Sequence, residues 1–281
     1  MGTLWICHQT AMTQRRRETV EYGTVRIDTL LDGETSLFGR CLVLLPSSAR
    51  DSEDFDNIAR RFAAEGLLVL RPQPRGMAGS AGPMQGLTLH DLARDVAAVI
   101  AQKANGPAHV LGHAFGQWVA RTLAADHPAF VRSVILAAAA AKQSDPALRA
   151  SLAICGDPAR PRADRLAALH HAFFAPGHDP APWLANWHPA AGAAQRAAAA
   201  ATPPEDWWHG GTTPIFDLQA ALDPWRPEAS RDALRDELGA DRVTVRVIEN
   251  ASHALIPEQP GAVLAAVLDW IGTIETKGPR P

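Results

Sequence analysis

Residues 109–118 read His-Val-Leu-Gly-His-Ala-Phe-Gly-Gln-Trp, an apolar run leading into Gly112-x-x-x-Gly116. The middle residue of that pentapeptide is Ala114, whose methyl group can attack nothing. Metal chemistry finds little support elsewhere in the chain. His170 and His171 are adjacent, so they do not share a helical face as an i, i+4 ligand pair does, and HExxH is absent. Neither GxGxxG nor GxxxxGK occurs, which argues against dinucleotide and nucleoside-triphosphate cofactors. No metal and no cofactor are expected.

These residues need elements to hold them. A chain of 281 residues, 47% hydrophobic and 20% charged, can bury a sizeable core as one large α/β domain or two small ones. A net charge of −3 gives no reason to expect a nucleic-acid partner. Arg15-Arg16-Arg17 is the one basic cluster and reads as part of a solvated N-terminal tail over 1–18, with Met12 an alternative start. Cys7, Cys41 and Cys155 are too few and too scattered for a disulfide framework or a CxxC metal site. No apolar run approaches the roughly 20 residues that cross a bilayer, and the apolar patch precedes the arginines, the wrong order for a signal peptide. The expectation is a cytoplasmic protein, monomer or homodimer, with no membrane partner.

Hydrophobic periodicity supplies the architecture. "ETVEY" and "VRIDTLL" flank Gly23-Thr24 as a hairpin. "RCLVLLP" and "LLVLRP" are continuous apolar runs of strand length, as strands buried on both faces require. Between them Phe55, Ile58, Ala59, Phe62 and Ala63 mark a helix that Asp51 or Ser52 can cap. The alternation continues through a helix at Leu89–Ile100, "AHVLG", a helix at Val119–Ala125, and "VRSVILAAA". It resumes with "TTPIFDLQA", a helix over Glu228–Leu238, "RVTVRVIE" and a last helix through Ile271. Such alternation implies a mostly parallel central sheet flanked by helices. Residues 142–211 break the pattern: rich in alanine, proline and histidine, they are expected to be helical without a strand. The expected organisation is a core over 19–141 and 212–275, an inserted helical cap over 142–211, and tails at 1–18 and 276–281.

With these motifs in this order, the chain resembles the α/β-hydrolase family over roughly residues 20–275. Gly112 and Gly116 match the small residues of that family's nucleophile elbow, a sharp strand-to-helix turn. The resemblance puts Ala114 at the nucleophile position, Asp223 of "LQAALDPWRP" at the acid position, and His253 of "IENASHALIPEQP" at the histidine position, in the family's chain order. It implies backbone N–H donors for an oxyanion at Ser48 and Phe115, although Pro46-Ser47-Ser48 stands where many relatives carry His-Gly. Arg75, Gly76 and Ser80 match a loop that shapes one wall.

Three readings of Ala114 stay open. It replaces a serine, by design or in nature, in a hydrolase of an ester, lactone or related acyl or C–C bond. Alternatively, His253 and Asp223 act as a cofactor-free acid–base pair, with Ser47, Ser48 and Gln117 positioning a water or substrate oxygen unless they merely cap local turns. The third reading is a ligand-binding pseudohydrolase. Trp183 and Trp187, spaced one helical turn apart, with Trp118, Trp225, Phe173 and Phe174, are expected either to line an apolar cavity or to pack the cap. The expected ligand is a small apolar or aromatic molecule.

Overall fold

The structure is a computed structural model and describes residues 15–34, 40–142 and 145–276. A hairpin of β1 (Arg16–Tyr22) and β2 (Val25–Asp32) opens the sheet and turns at Gly23, where φ is +52°. The remaining strands are β3 (Cys41–Leu45), β4 (Leu68–Pro72), β5 (Ala108–His113), β6 (Val131–Ala137), β7 (Ile215–Ala220) and β8 (Val243–Ile248). They line up as β1-β2-β4-β3-β5-β6-β7-β8, parallel from β4 to β8.

The apolar runs of β3, β5 and β6 are continuous because both sheet faces are covered. Val43, Leu45, Val110 and Val134 pack on α2 (Leu89–Lys103) and α3 (Gly116–Asp126). Their chain neighbours Leu42, Leu44, Leu111 and Ile135 face α1 (Asp56–Ala64) and α10 (Pro260–Thr276) on the opposite side. Asp51 caps the 3-10 turn before α1 by accepting from the Glu53 N–H, and Thr88 with Asp91 forms a capping box on α2. Between β6 and β7 lie α4 (Pro146–Gly156), α5 (Arg162–Ala172), α6 (Pro189–Ala201) and α7 (Pro204–Trp207), with no strand among the described residues. The last segments are α8 (Ala233–Leu238), α9 (Leu255–Glu258) and α10. No described helix is long and apolar enough to cross a membrane. Cys41 and Cys155 are free and buried, while Cys7 and Met12 lie outside the described residues.

Two expectations need correction. Arg15–Arg17 is solvated but not a tail: the three side chains are exposed, yet Arg16 and Arg17 begin β1, Arg15 pairs with Asp56 at 2.5 Å, and Arg17 pairs with Asp28 at 2.5 Å and Glu53 at 2.7 Å. The cluster is held because it faces an acidic wall. The helix expected over Glu228–Leu238 also breaks, into a 3-10 turn Glu228–Ser230 and α8. Its carbonyls are diverted: Ser230 O accepts from Arg226 Nε, and Arg231 O accepts from Arg226 Nη2 and Gln219 Nε2.

One buried charge pair anchors the hairpin to the core. Arg71 on β4 and Asp32 on β2 are fully buried, with Arg71 Nε donating to Asp32 Oδ2 at 2.9 Å. Arg71 Nη1 also donates to Asp56 Oδ1 at 2.6 Å and Ser52 O at 3.0 Å. Arg71→Leu leaves Asp32 charged in a dry site and is expected to cost about 3–5 kcal/mol. Urea denaturation of the variant against the parent checks this; a loss below about 1 kcal/mol contradicts it.

Candidate active site

The turn after β5 follows from what two glycines permit. A Cβ on Gly116 would lie 2.3 Å from the Leu45 carbonyl oxygen, and one on Gly112 would lie 2.4 Å from the Gly116 carbonyl. Glycine at both places lets β5 pass directly into α3. The residue between them, Ala114, adopts φ +48°. That left-handed conformation costs an L-residue about 1–2 kcal/mol. Its backbone is pinned there, with the Ala114 N–H donating to Ala137 O at 3.0 Å and Ala114 O accepting from the Gln117 N–H at 3.2 Å. Ala114 is half-buried at the end of the central strand, at the head of α3.

Two loops after neighbouring strands bring in ionisable groups. Asp223 follows β7 and His253 follows β8, and both are buried. His253 Nδ1 lies 3.0 and 3.1 Å from the two Asp223 carboxylate oxygens. Asp223 Oδ1 also accepts from the Trp225 N–H at 2.9 Å. A carboxylate on Nδ1 holds the proton there and leaves Nε2 as the ring nitrogen able to accept one.

The histidine loop is fixed from three sides. Ser252 N–H donates to Glu258 Oε2 at 2.6 Å, and Ala254 N–H donates to Phe173 O at 2.8 Å. His113, the residue before Ala114, donates from Nε2 to the His253 carbonyl at 2.8 Å. Because the acceptor is a carbonyl, that nitrogen carries the proton. Burial, with His253 and Arg50 nearby, pushes the His113 imidazole down to about 3, so the ring stays neutral. Glu258 also accepts from the Ala175 N–H at 2.6 Å, tying this loop to the segment after α5.

The loop after β3 is bound to the helical segment. Gln195 on α6 accepts through Oε1 from the Ala49 N–H at 2.8 Å and the Ser48 hydroxyl at 3.3 Å. Arg50 is sandwiched between Trp183 and Trp187, 4.8 and 4.9 Å from the ring centroids, and holds Asp54 with two bonds of 2.6 and 2.5 Å. Among the described residues, the backbone N–H groups of Ser48 and Phe115 donate to no protein acceptor.

The aromatic expectations divide. Phe173 is the hub, 5.5–6.4 Å from the rings of His253, Trp183, Trp225 and Trp187. Trp225 lies 5.3 Å from His253 and donates Nε1 to Ala172 O at 2.7 Å. Trp118 is elsewhere, against Phe115 and Trp207. Trp183 and Trp187 do not share a helix face, because the 3-10 turn Ala181–Leu184 ends first; Trp187 Nε1 instead donates back to Trp183 O at 2.5 Å. Trp183 lines a small cleft with Ser47, Asp54 and His113, and it also packs with Trp187 and Trp225 in one cluster around Phe173. Gln117 is buried in the first turn of α3, and its Oε1 has no partner among the described residues. No group of three or more His, Cys, Asp or Glu is placed to hold a metal among the described residues.

Arg50, Gln195, Glu258 and His113 escaped the sequence reading. Arg50 and Asp54 did carry a signal, an i, i+4 charge pair beside the expected oxyanion segment. Apart from the Ser252 contact of Glu258, the others act through partners 83 or more positions away, which no local pattern reveals.

The family model described as serine aminopeptidase, S33 matches residues 40–260, a span that includes positions 114, 223 and 253. No curated protein matches the chain. Similar solved structures include an esterase from Rhodococcus sp. at 20% identity, TM-score 0.73, covering 92% of this chain and 99% of that one. A hydrolase from Pseudomonas aeruginosa aligns at 22% identity, TM-score 0.70, over 91% and 98%. An esterase from Exiguobacterium antarcticum aligns at 20% identity, TM-score 0.70, over 88% and 96%. These structures share the fold, and the chain belongs to the S33 family of α/β hydrolases.

The site's strand also dictates an acid sensitivity. His109 accepts at Nδ1 from Ser133 Oγ at 2.7 Å, since Trp270 Nε1 donates to that same hydroxyl, and burial pushes this imidazole to about 3 as well. In the unfolded chain both His109 and His113 titrate near 6.5. Below about pH 6.5 the unfolded state therefore binds protons that the folded state refuses, and stability falls as pH falls. The expected slope is about 1.4 kcal/mol per pH unit for each histidine. Urea midpoints between about pH 7 and pH 5 measure it, and His109→Gln or His113→Gln should flatten the profile.

Proposed function

We propose that this S33-family α/β hydrolase carries the proton-transfer and oxyanion parts of an enzyme that hydrolyses an ester, lactone or related acyl or C–C bond of a small apolar substrate. Ala114 stands where such an enzyme has its nucleophile. The carrying observation is the pairing of buried His253 Nδ1 with both Asp223 oxygens, at 3.0 and 3.1 Å, beside an elbow whose middle residue keeps φ +48°. Alanine gains nothing from that costly conformation, whereas a nucleophile there is lifted clear of the sheet edge.

With a hydroxyl at position 114, His253 takes its proton as the oxygen attacks, and Asp223 stabilises the resulting imidazolium. The Ser48 N–H in the loop after β3 and the Phe115 N–H at the head of α3 receive the developing oxyanion. The helices over 142–211 act as the cap. Two of the similar structures are described as esterases, in line with acyl chemistry.

Ala114 itself favours a second reading: His253 and Asp223 activate water or abstract a substrate proton with no covalent intermediate. One substitution separates the two. Loss of a triad serine typically costs about 10⁶ in kcat, so Ala114→Ser is expected to raise p-nitrophenyl ester hydrolysis by at least about 10³-fold and to react with fluorophosphonate probes. His253→Ala in that background should return the rate to the parent's. A folded Ala114→Ser protein with no gain rejects the serine-hydrolase reading in favour of serine-free chemistry.

A further inference from the structure

A cavity of about 40 Å³ lies against the oxyanion loop and the elbow. Leu45 and Pro46 form one edge, immediately before Ser47 and Ser48. Phe115 and Gly116 form another, immediately after Ala114. Most of the wall is apolar, with Ile27, Leu92, Val96 and Val119 contributing from β2, α2 and α3. None of the tryptophans singled out above lines it.

Two amides interrupt that apolar wall from different elements. Gln73, just past β4, is buried, and its Oε1 accepts from the Ser52 N–H at 2.9 Å. That bond fixes the amide and leaves Nε2 as the free group; it has no acceptor among the described residues. The Gln73 backbone is itself held, its carbonyl accepting from Ser80 Oγ at 2.8 Å. A buried donor held this firmly and left unpaired asks for an acceptor, because leaving one unmade costs about 1–3 kcal/mol. Gln195 lines the same cavity, and with Oε1 taken by Ala49 and Ser48 it too has only its NH2 to offer. The one carboxylate in the wall, Asp95, is neutralised by Arg75 through two bonds of 2.7 Å and takes a further bond from the Tyr22 hydroxyl. It therefore neither recruits a cation nor leaves room for an anion's charge to be favoured.

We infer that this cavity, and not the tryptophan face, receives the variable part of the ligand. That part is a short uncharged acyl chain carrying one oxygen acceptor, small enough for the cavity and held by Gln73 Nε2 and the Gln195 amide. Naming the ligand a substrate rests on the function proposed above; the binding itself does not.

Acetone and 2-methylpropene have nearly the same shape, and only the ketone carries an acceptor. Titrating both into the full chain with Ala114 in place, by calorimetry or NMR line shape, needs no catalysis. The ketone is expected to bind about 3- to 10-fold more tightly than the hydrocarbon, the worth of one hydrogen bond. Gln73→Leu should reduce that preference, and Gln73→Leu combined with Gln195→Leu should erase it. Val96→Phe fills the cavity and should weaken both ligands at least about 10-fold, and Val119→Ile narrows the same space if the larger change prevents folding. Equal affinities in the parent, or ketone binding unchanged in a folded cavity-filling variant, would overturn the assignment. Binding that follows these variants while Ala114→Ser stays inactive on esters would keep the pocket and reject the hydrolase reading; the reverse pattern would do the opposite.

Discussion

Everything at this site depends on how closely α3 approaches β3. At Gly116 the helix backbone comes so near the Leu45 carbonyl that a single added carbon has no room. That contact forces the abrupt strand-to-helix turn, and the turn forces residue 114 into the left-handed region. It also sets Phe115 and Gly116 beside Leu45 and Pro46, which become opposite edges of one cavity. The elbow is thus a consequence of backbone packing and persists whatever side chain occupies position 114.

A second layer of order comes from the helical segment between β6 and β7. It does not merely lie across the strand ends. Gln195 holds the loop after β3, the stacked tryptophans clamp Arg50, and Ala175 shares Glu258 with the histidine loop. Buried bonds of this kind couple loop positions that would otherwise wander independently, because each partner left unpaired would cost free energy. The two loops that flank Ala114 are therefore held by residues of the helical segment between β6 and β7.

The tryptophans show why composition is a poor guide to lining. Trp183, Trp187 and Trp225 surround Phe173 and bury large areas against one another, and their indole N–H groups find carbonyls within the same segment where bonds form. A segment of alanine-rich helices needs such bulk to make a core of its own. The space beside the elbow is instead walled by aliphatic residues of the main sheet and α2, which read in the sequence as ordinary core positions.

Much of this was legible in the sequence. Continuous apolar runs marked strands buried on both faces, 3.6-residue periodicity marked their covering helices, and chain order matched Ala114, Asp223 and His253 to the family's pattern. Those are local signals, set by side-chain period and glycine sterics. What only the tertiary structure decided are relations across the fold. Arg15–Arg17 became structural because acidic residues from β2 and the α1 region face them. The Glu228–Leu238 helix broke because Arg226 and Gln219 captured its carbonyls. Gln195 and Glu258 gained their meaning from Ser48, Ala49 and Ala175, partners 83 or more positions away that only folding brings within hydrogen-bond distance.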